Sequence, residues 1–176
     1  RVIGLLKDRY EIWNIDENLE ERPVGYRAVK GLLGDMNPEL PSEYFDCVFS
    51  ISALEHVKQN TDTFVRVCRD TDRVLSPGGF SIHSFDIVAG RDSVWTNGLL
   101  PYIFQNIKTI NTQVLFPEML VDRDLYVMSE SAYNKGWRHT TGSSYQDFGR
   151  PIAYNVLWQK KTQTTPPSYC ASLTTT

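Results

Sequence analysis

The passage that most constrains the fold is Tyr44-Phe45-Asp46-Cys47-Val48-Phe49-Ser50-Ile51-Ser52-Ala53-Leu54-Glu55-His56-Val57. Its near-continuous apolar run suits a strand over 45–50 buried on both faces, as in parallel sheets. The run ends in small polar residues and passes into a short helix over 53–58. A longer helix follows. Thr61 or Asp62 can cap it, and Phe64, Val67, Cys68, Thr71, Val74 and Leu75 form one stripe at i, i+3, i+4, i+7 spacing. Pro77-Gly78-Gly79 is expected to stop this helix, and 80–88 reads as the next strand. A strand, a helix and a further strand in succession argue for a parallel α/β sheet.

Upstream, 11–16 reads as a short strand ending in Asp16, and 28–33 as a second one closed by Gly34-Asp35. Val2, Ile3, Leu6 and Tyr10 fall at helical spacing, so 1–9 reads as the last turns of a helix. Downstream, 99–110 is expected to be helical. Segments 124–133 and 152–160 read as two strands, joined by a Gly-, Ser- and Thr-rich excursion over 137–150. The Thr-, Pro- and Ser-rich end, 162–176, is expected to be a disordered tail, leaving one domain over 1–161.

The chain's 176 residues suffice for one domain with a core. A net charge of −3, with no basic run longer than Lys160-Lys161, gives no support for nucleic acid or an anionic membrane as partner. The three cysteines, Cys47, Cys68 and Cys170, are widely spaced and suggest neither a disulfide framework nor a metal site. Cys47 and Cys68 are expected to be buried, reduced and inert, pointing to a reducing, cytoplasmic setting. No apolar stretch approaches the roughly 18 residues of a membrane span.

In an open parallel sheet, ligands bind beyond the carboxyl ends of the strands. Three such ends carry suitable groups. Asp16 can accept from both hydroxyls of a ribose. Gly34-Asp35-Met36 can face an adenine, Asp35 accepting from its amine and Met36 offering a backbone N–H and an apolar side chain. Ser50-Ile51-Ser52 lets a ligand approach the backbone. His56, as a histidine, is the best-placed group to orient or deprotonate a nucleophile. Taken singly, each has a plain alternative: a solvated acid, a Gly-Asp turn, a histidine bonded at a helix start. His83 is expected to be packed inside its strand.

Asp16, Gly34-Asp35, 45–50 with Leu54-Glu55-His56-Val57, and Arg73-Val74-Leu75-Ser76-Pro77-Gly78-Gly79 together resemble the core of the class I S-adenosylmethionine-dependent methyltransferases. The resemblance implies a Rossmann-like, mostly parallel sheet with helices on both faces and a C-terminal antiparallel strand pair. It implies S-adenosylmethionine as cofactor, with Asp16 on the ribose, Gly34, Asp35 and Met36 at the adenine, and Ser50, Ile51 and Ser52 at the methionine end. His56 would be the catalytic residue. Trp95, Leu99, Tyr102, Phe104 and Phe116 would line the acceptor pocket, and the partner would be a small-molecule methyl acceptor.

The chain departs from the family in one respect. The first strand and its glycine-rich cofactor loop are not found ahead of Asp16, so the chain reads as N-terminally truncated. Two functions follow: methyl transfer to a small or medium-sized metabolite, impaired by the missing loop, or an inactive domain kept for assembly, a homo-oligomer included. A nicotinamide dehydrogenase is a weaker reading, because Gly-x-Gly-x-x-Gly is absent.

Overall fold

A computed structural model of the chain describes Leu6 and residues 8–19, 25–89, 94–107 and 128–162. Strands β1 (Trp13–Asp16) and β2 (Arg27–Lys30) pair in parallel as a two-stranded sheet. β3 (Phe45–Ile51) pairs in parallel with β4 (Leu75–Ala89), and helix α1 (Thr61–Val74) provides the crossover. The two-residue β5 (Val94–Trp95) and the long β6 (Arg150–Gln159) both run antiparallel to β4. The expected α/β class, a Rossmann-like sheet with parallel strands, is the observed one, and of the expected C-terminal antiparallel strand pair β6 is present, running antiparallel to β4.

The core forms where alternate residues of β4 and β6 meet two helices. Phe85, Ile87, Tyr154, Val156 and Trp158 are buried against Phe64 and Val67 of α1 and against Leu99, Leu100 and Ile103 of α2 (Leu99–Asn106). A side chain of this size contributes roughly 1.5–3 kcal/mol when fully buried. A smaller cluster of Val29, Leu40 and Val74, flanked by Trp13 and Phe45, ties the β1–β2 pair to α1 and β3.

Several boundaries differ from the expectation. β2 stops at Lys30, because Gly31 and Gly34 both take positive φ. Asn60, rather than Thr61 or Asp62, caps α1 by accepting from the Thr63 amide at 2.8 Å. The helix over 53–58 is a single 3-10 turn, Leu54–His56. Pro77-Gly78-Gly79 does not end α1. The helix stops at Val74, and the three residues form a bulge inside β4 that shifts the register between Phe45 and Cys47. A Cβ on Gly79 would lie 2.9 Å from the Ser76 carbonyl oxygen, so only glycine closes that bulge.

β3 is not buried on both faces. Phe49 is 52% and Ile51 66% exposed, and Cys47 is also exposed rather than buried. The reason is that α1 and α2 cover only the face of the sheet that bears Phe85 and Ile87. Cys68 is half-buried, and burial pushes its thiol up to about 11, consistent with an inert group.

The strand expected over 124–133 is also corrected. Residues 124–127 lie outside the described ones, and Glu130–Lys135 is a helix, α3. Ser129 caps it by accepting from the Ala132 amide. Tyr133, fully buried, anchors it against Tyr145 and Phe148. The excursion over 137–150 holds two further short helices, α4 (Arg138–Thr141) and α5 (Tyr145–Phe148). The expected helix over 1–9 and the tail over 162–176 lie almost wholly outside the described residues. Among the described residues no helix is long and apolar enough to cross a membrane.

Candidate cofactor cleft

Parallel pairing sets the carboxyl ends of β1 and β2 side by side, and those of β3 and β4 likewise. A cavity of about 790 Å³ opens between the β1–β2 pair and β3. Asp16, Gly34, Asp35, Ser50, Ile51, Ser52 and His56 all line it. A volume of this size falls within the usual range of small-molecule sites, roughly 300–1,000 Å³. Its apolar wall includes Phe45, Val48 and Val67.

Each polar group is held by its local structure. The Asp16 carboxylate is exposed and accepts the Asn18 amide at 2.8 Å, which fixes the turn after β1 and leaves its second oxygen outside that bond. Gly34 has φ +107°, and a Cβ there would meet the backbone and side chain of Val67 at 3.2 Å. A glycine is therefore required for the loop to lie this close to α1. Asp35 is exposed at the loop tip. Ser52 follows β3 at φ +46°, where its amide donates to the Ser84 carbonyl and its hydroxyl to Asp86 Oδ1 at 3.1 Å. A non-glycine residue in this left-handed conformation carries strain, a feature that concentrates at functional sites.

Met36 does not join the group. It also has positive φ, but it does not line the cavity, and its amide donates to Asp70 Oδ2 at 3.2 Å. The backbone N–H expected to face an adenine is therefore already in use. The residues expected at an acceptor pocket lie elsewhere than the cleft. Leu99 is buried in the core, Tyr102 and Phe104 pack against that core, and Trp95 is 59% exposed. None of the four lines the cavity. Phe116 lies outside the described residues.

His56 is exposed on the 3-10 turn at the cavity wall. Its neighbour Glu55 is buried, and its Oε2 has no hydrogen-bond partner among the described residues. Burial, and then the nearby Asp86, push the Glu55 carboxyl above its ordinary pKa. His83 is fully buried, as expected. Its ring lies between the hydroxyls of Ser50 and Ser81, and burial lowers its pKa to about 4.

One residue behind the cleft was not singled out from the sequence, Asp70. Asp70 is an acid beside the apolar stripe of α1, a position where an unpaired carboxylate is costly. That mismatch was the signal available for it. Among the described residues no cluster of three His, Cys, Asp or Glu side chains could hold a metal.

The fold is that of an open α/β domain with a ligand cleft at its strand ends. Comparison with known proteins takes this further. Residues 2–83 match a family model described as a methyltransferase domain. The chain is similar to an S-adenosylmethionine-dependent methyltransferase from Methanosarcina mazei, with a TM-score of 0.54 and 12% identity over 92% of this chain and 87% of that one. It is also similar to one from Archaeoglobus fulgidus, with a TM-score of 0.54 and 13% identity over 90% and 80%. The [4+2]-cyclase SpnF has the same fold, with a TM-score of 0.53 and 13% identity over 92% and 71%. No curated protein matches the chain. The family match spans just under half of the chain, and these solved structures share its fold, the one on which S-adenosylmethionine-dependent methyltransferases are built.

Proposed function

We propose that the cleft holds S-adenosylmethionine across Asp16, Asp35 and Ser50–Ser52 and that the chain methylates a small or medium-sized metabolite. The observation that carries this reading is the single cavity lined by Asp16, Gly34, Asp35, Ser50, Ser52 and His56. Its size suits a nucleoside. The close approach of Gly34 to Val67 gives the loop the narrow wall against which a flat ring can lie.

The cofactor supplies an activated sulfonium methyl. The protein's task is then alignment and exclusion of water. Asp16 accepts from the ribose hydroxyls, and Asp35 from the adenine amine. The apolar wall of Phe45, Val48 and Val67 keeps water from the rings. His56 stands at the open side, where it takes the proton that the acceptor releases as it attacks.

Calorimetric titration with S-adenosylhomocysteine tests the reading. Saturable binding that is weakened by Asp16→Ala and by Asp35→Ala is expected. An absence of binding at millimolar ligand overturns the assignment.

A further inference from the structure

The His83 imidazole is wholly buried in β4 and lies against the Trp158 ring, with centroids 4.8 Å apart. Its Nδ1 is 2.8 Å from Ser50 Oγ, and its Nε2 is 2.7 Å from Ser81 Oγ. Ser50 is half-buried and lines the cleft, whereas Ser81 is fully buried. A neutral imidazole has one N–H and one lone pair. One serine must therefore donate to the ring and the other must accept from it. Burial keeps the ring neutral over the physiological range.

The two arrangements are not equivalent. With the proton on Nε2, the ring donates to Ser81, whose own hydroxyl hydrogen then has no acceptor among the described residues. That leaves a buried donor unsatisfied, which folded proteins avoid. With the proton on Nδ1, Ser81 donates to Nε2 and its hydrogen is used. The ring then donates to Ser50, and the Ser50 hydroxyl hydrogen is free for the cleft.

We infer that His83 carries its proton on Nδ1 and acts as a positioning residue, turning Ser50 into a hydrogen-bond donor toward a carboxylate of the bound ligand. This rests on the reading under which the Ser50–Ser52 strand end receives the methionine end of the cofactor. That end carries an ammonium, which only donates, and a carboxylate, which only accepts. A Ser50 whose hydrogen faces the cleft selects the carboxylate. The opposite proton position would offer only lone pairs and would suit the ammonium.

Two measurements on the full chain decide it. Nitrogen-15 NMR of histidine-labelled protein reads the proton position directly, and a proton on Nδ1 of His83 is expected. Calorimetry then compares S-adenosylhomocysteine with 5′-methylthioadenosine, which shares the nucleoside and thioether but lacks the amino-acid end. Ser50→Ala and His83→Gln should weaken S-adenosylhomocysteine about tenfold and leave methylthioadenosine unchanged. His83→Asn, whose amide nitrogen can stand near the Nδ1 position, should retain most of the affinity. A proton on Nε2, an unchanged affinity in Ser50→Ala, or equal losses for both ligands would overturn the inference. Should the His83 variants fail to fold, Ser50→Ala and the NMR reading suffice. Should the parent bind neither nucleoside, the proposed function falls, and the NMR reading alone decides the proton's place.

Discussion

The Asp70 carboxylate accepts the Gly34 amide at 2.7 Å, joining the middle of α1 to the loop that closes β2. The same oxygen accepts the Met36 amide, and the other accepts Arg73 Nε at 2.9 Å. Arg73 in turn donates to the Leu40 carbonyl at 2.7 Å. One buried acid thus organises the whole turn that carries Asp35 to the cleft. Asp70→Asn should cost about 3 kcal/mol, because an amide cannot accept two backbone donors and also pair with the guanidinium. Urea unfolding measures the loss, and hydrogen exchange at Gly34 and Met36 should accelerate. Unchanged exchange at those two amides would show that the loop is held by something else.

Asp16→Ala separates binding from folding. The side chain is exposed, and its only bond among the described residues is to the Asn18 amide next to it, so the midpoint of thermal unfolding should hardly move. Nucleoside affinity should fall roughly tenfold, as expected for a lost bond to a charged acceptor. A variant that binds S-adenosylhomocysteine as tightly as the parent places the ribose elsewhere.

These tests bear on parts of the fold that differ in how readable they were. α1 and the strand ends were legible because their signals are local: a stripe at helical spacing, and an apolar run ending in Ser50-Ile51-Ser52. The role of Asp70 was not, because its partners Gly34 and Met36 are distant in sequence and only packing brings them together. The exposure of Phe49 and Ile51 was hidden for a related reason. An apolar strand looks the same in sequence whether or not a layer covers its second face. The segment around Tyr133 was misread because its apolar residues suit a strand, whereas the Ser129 cap and the burial of Tyr133 make it helical. Met36 stands outside the cavity lining although it follows Asp35 directly, and its amide already serves Asp70.

His83 should make the protein acid-labile within a defined window. Burial holds its pKa at about 4, against 6.5 in the unfolded chain. The unfolded state therefore binds the proton first. The contribution to stability is fully present above pH 6.5 and is lost as pH falls toward 4, amounting to about 3 kcal/mol over that range. Denaturation by urea at pH 7, 5.5 and 4.5 measures it. His83→Gln should flatten this part of the profile, and a variant with the parent's slope would assign the acid lability to other groups.

Glu55 works in the opposite sense. Burial first, and then Asp86, raise its carboxyl pKa above 4.5, while its own backbone, the Asp86 amide and His56 pull it down less strongly. The folded state thus holds the proton more tightly than the unfolded chain does. Its contribution is present below pH 4.5 and is lost as pH rises through the raised value. Oε2 is buried and has no hydrogen-bond partner among the described residues, so the charged form is the costlier one in the fold. Glu55→Gln keeps the shape and removes the charge, so it should stabilise the protein at pH 7 by about 1 kcal/mol and lose that advantage near pH 4. Paired urea titrations at the two pH values measure the difference. A Gln variant less stable than the parent at pH 7 would mean that the Glu55 charge has a partner within the folded domain.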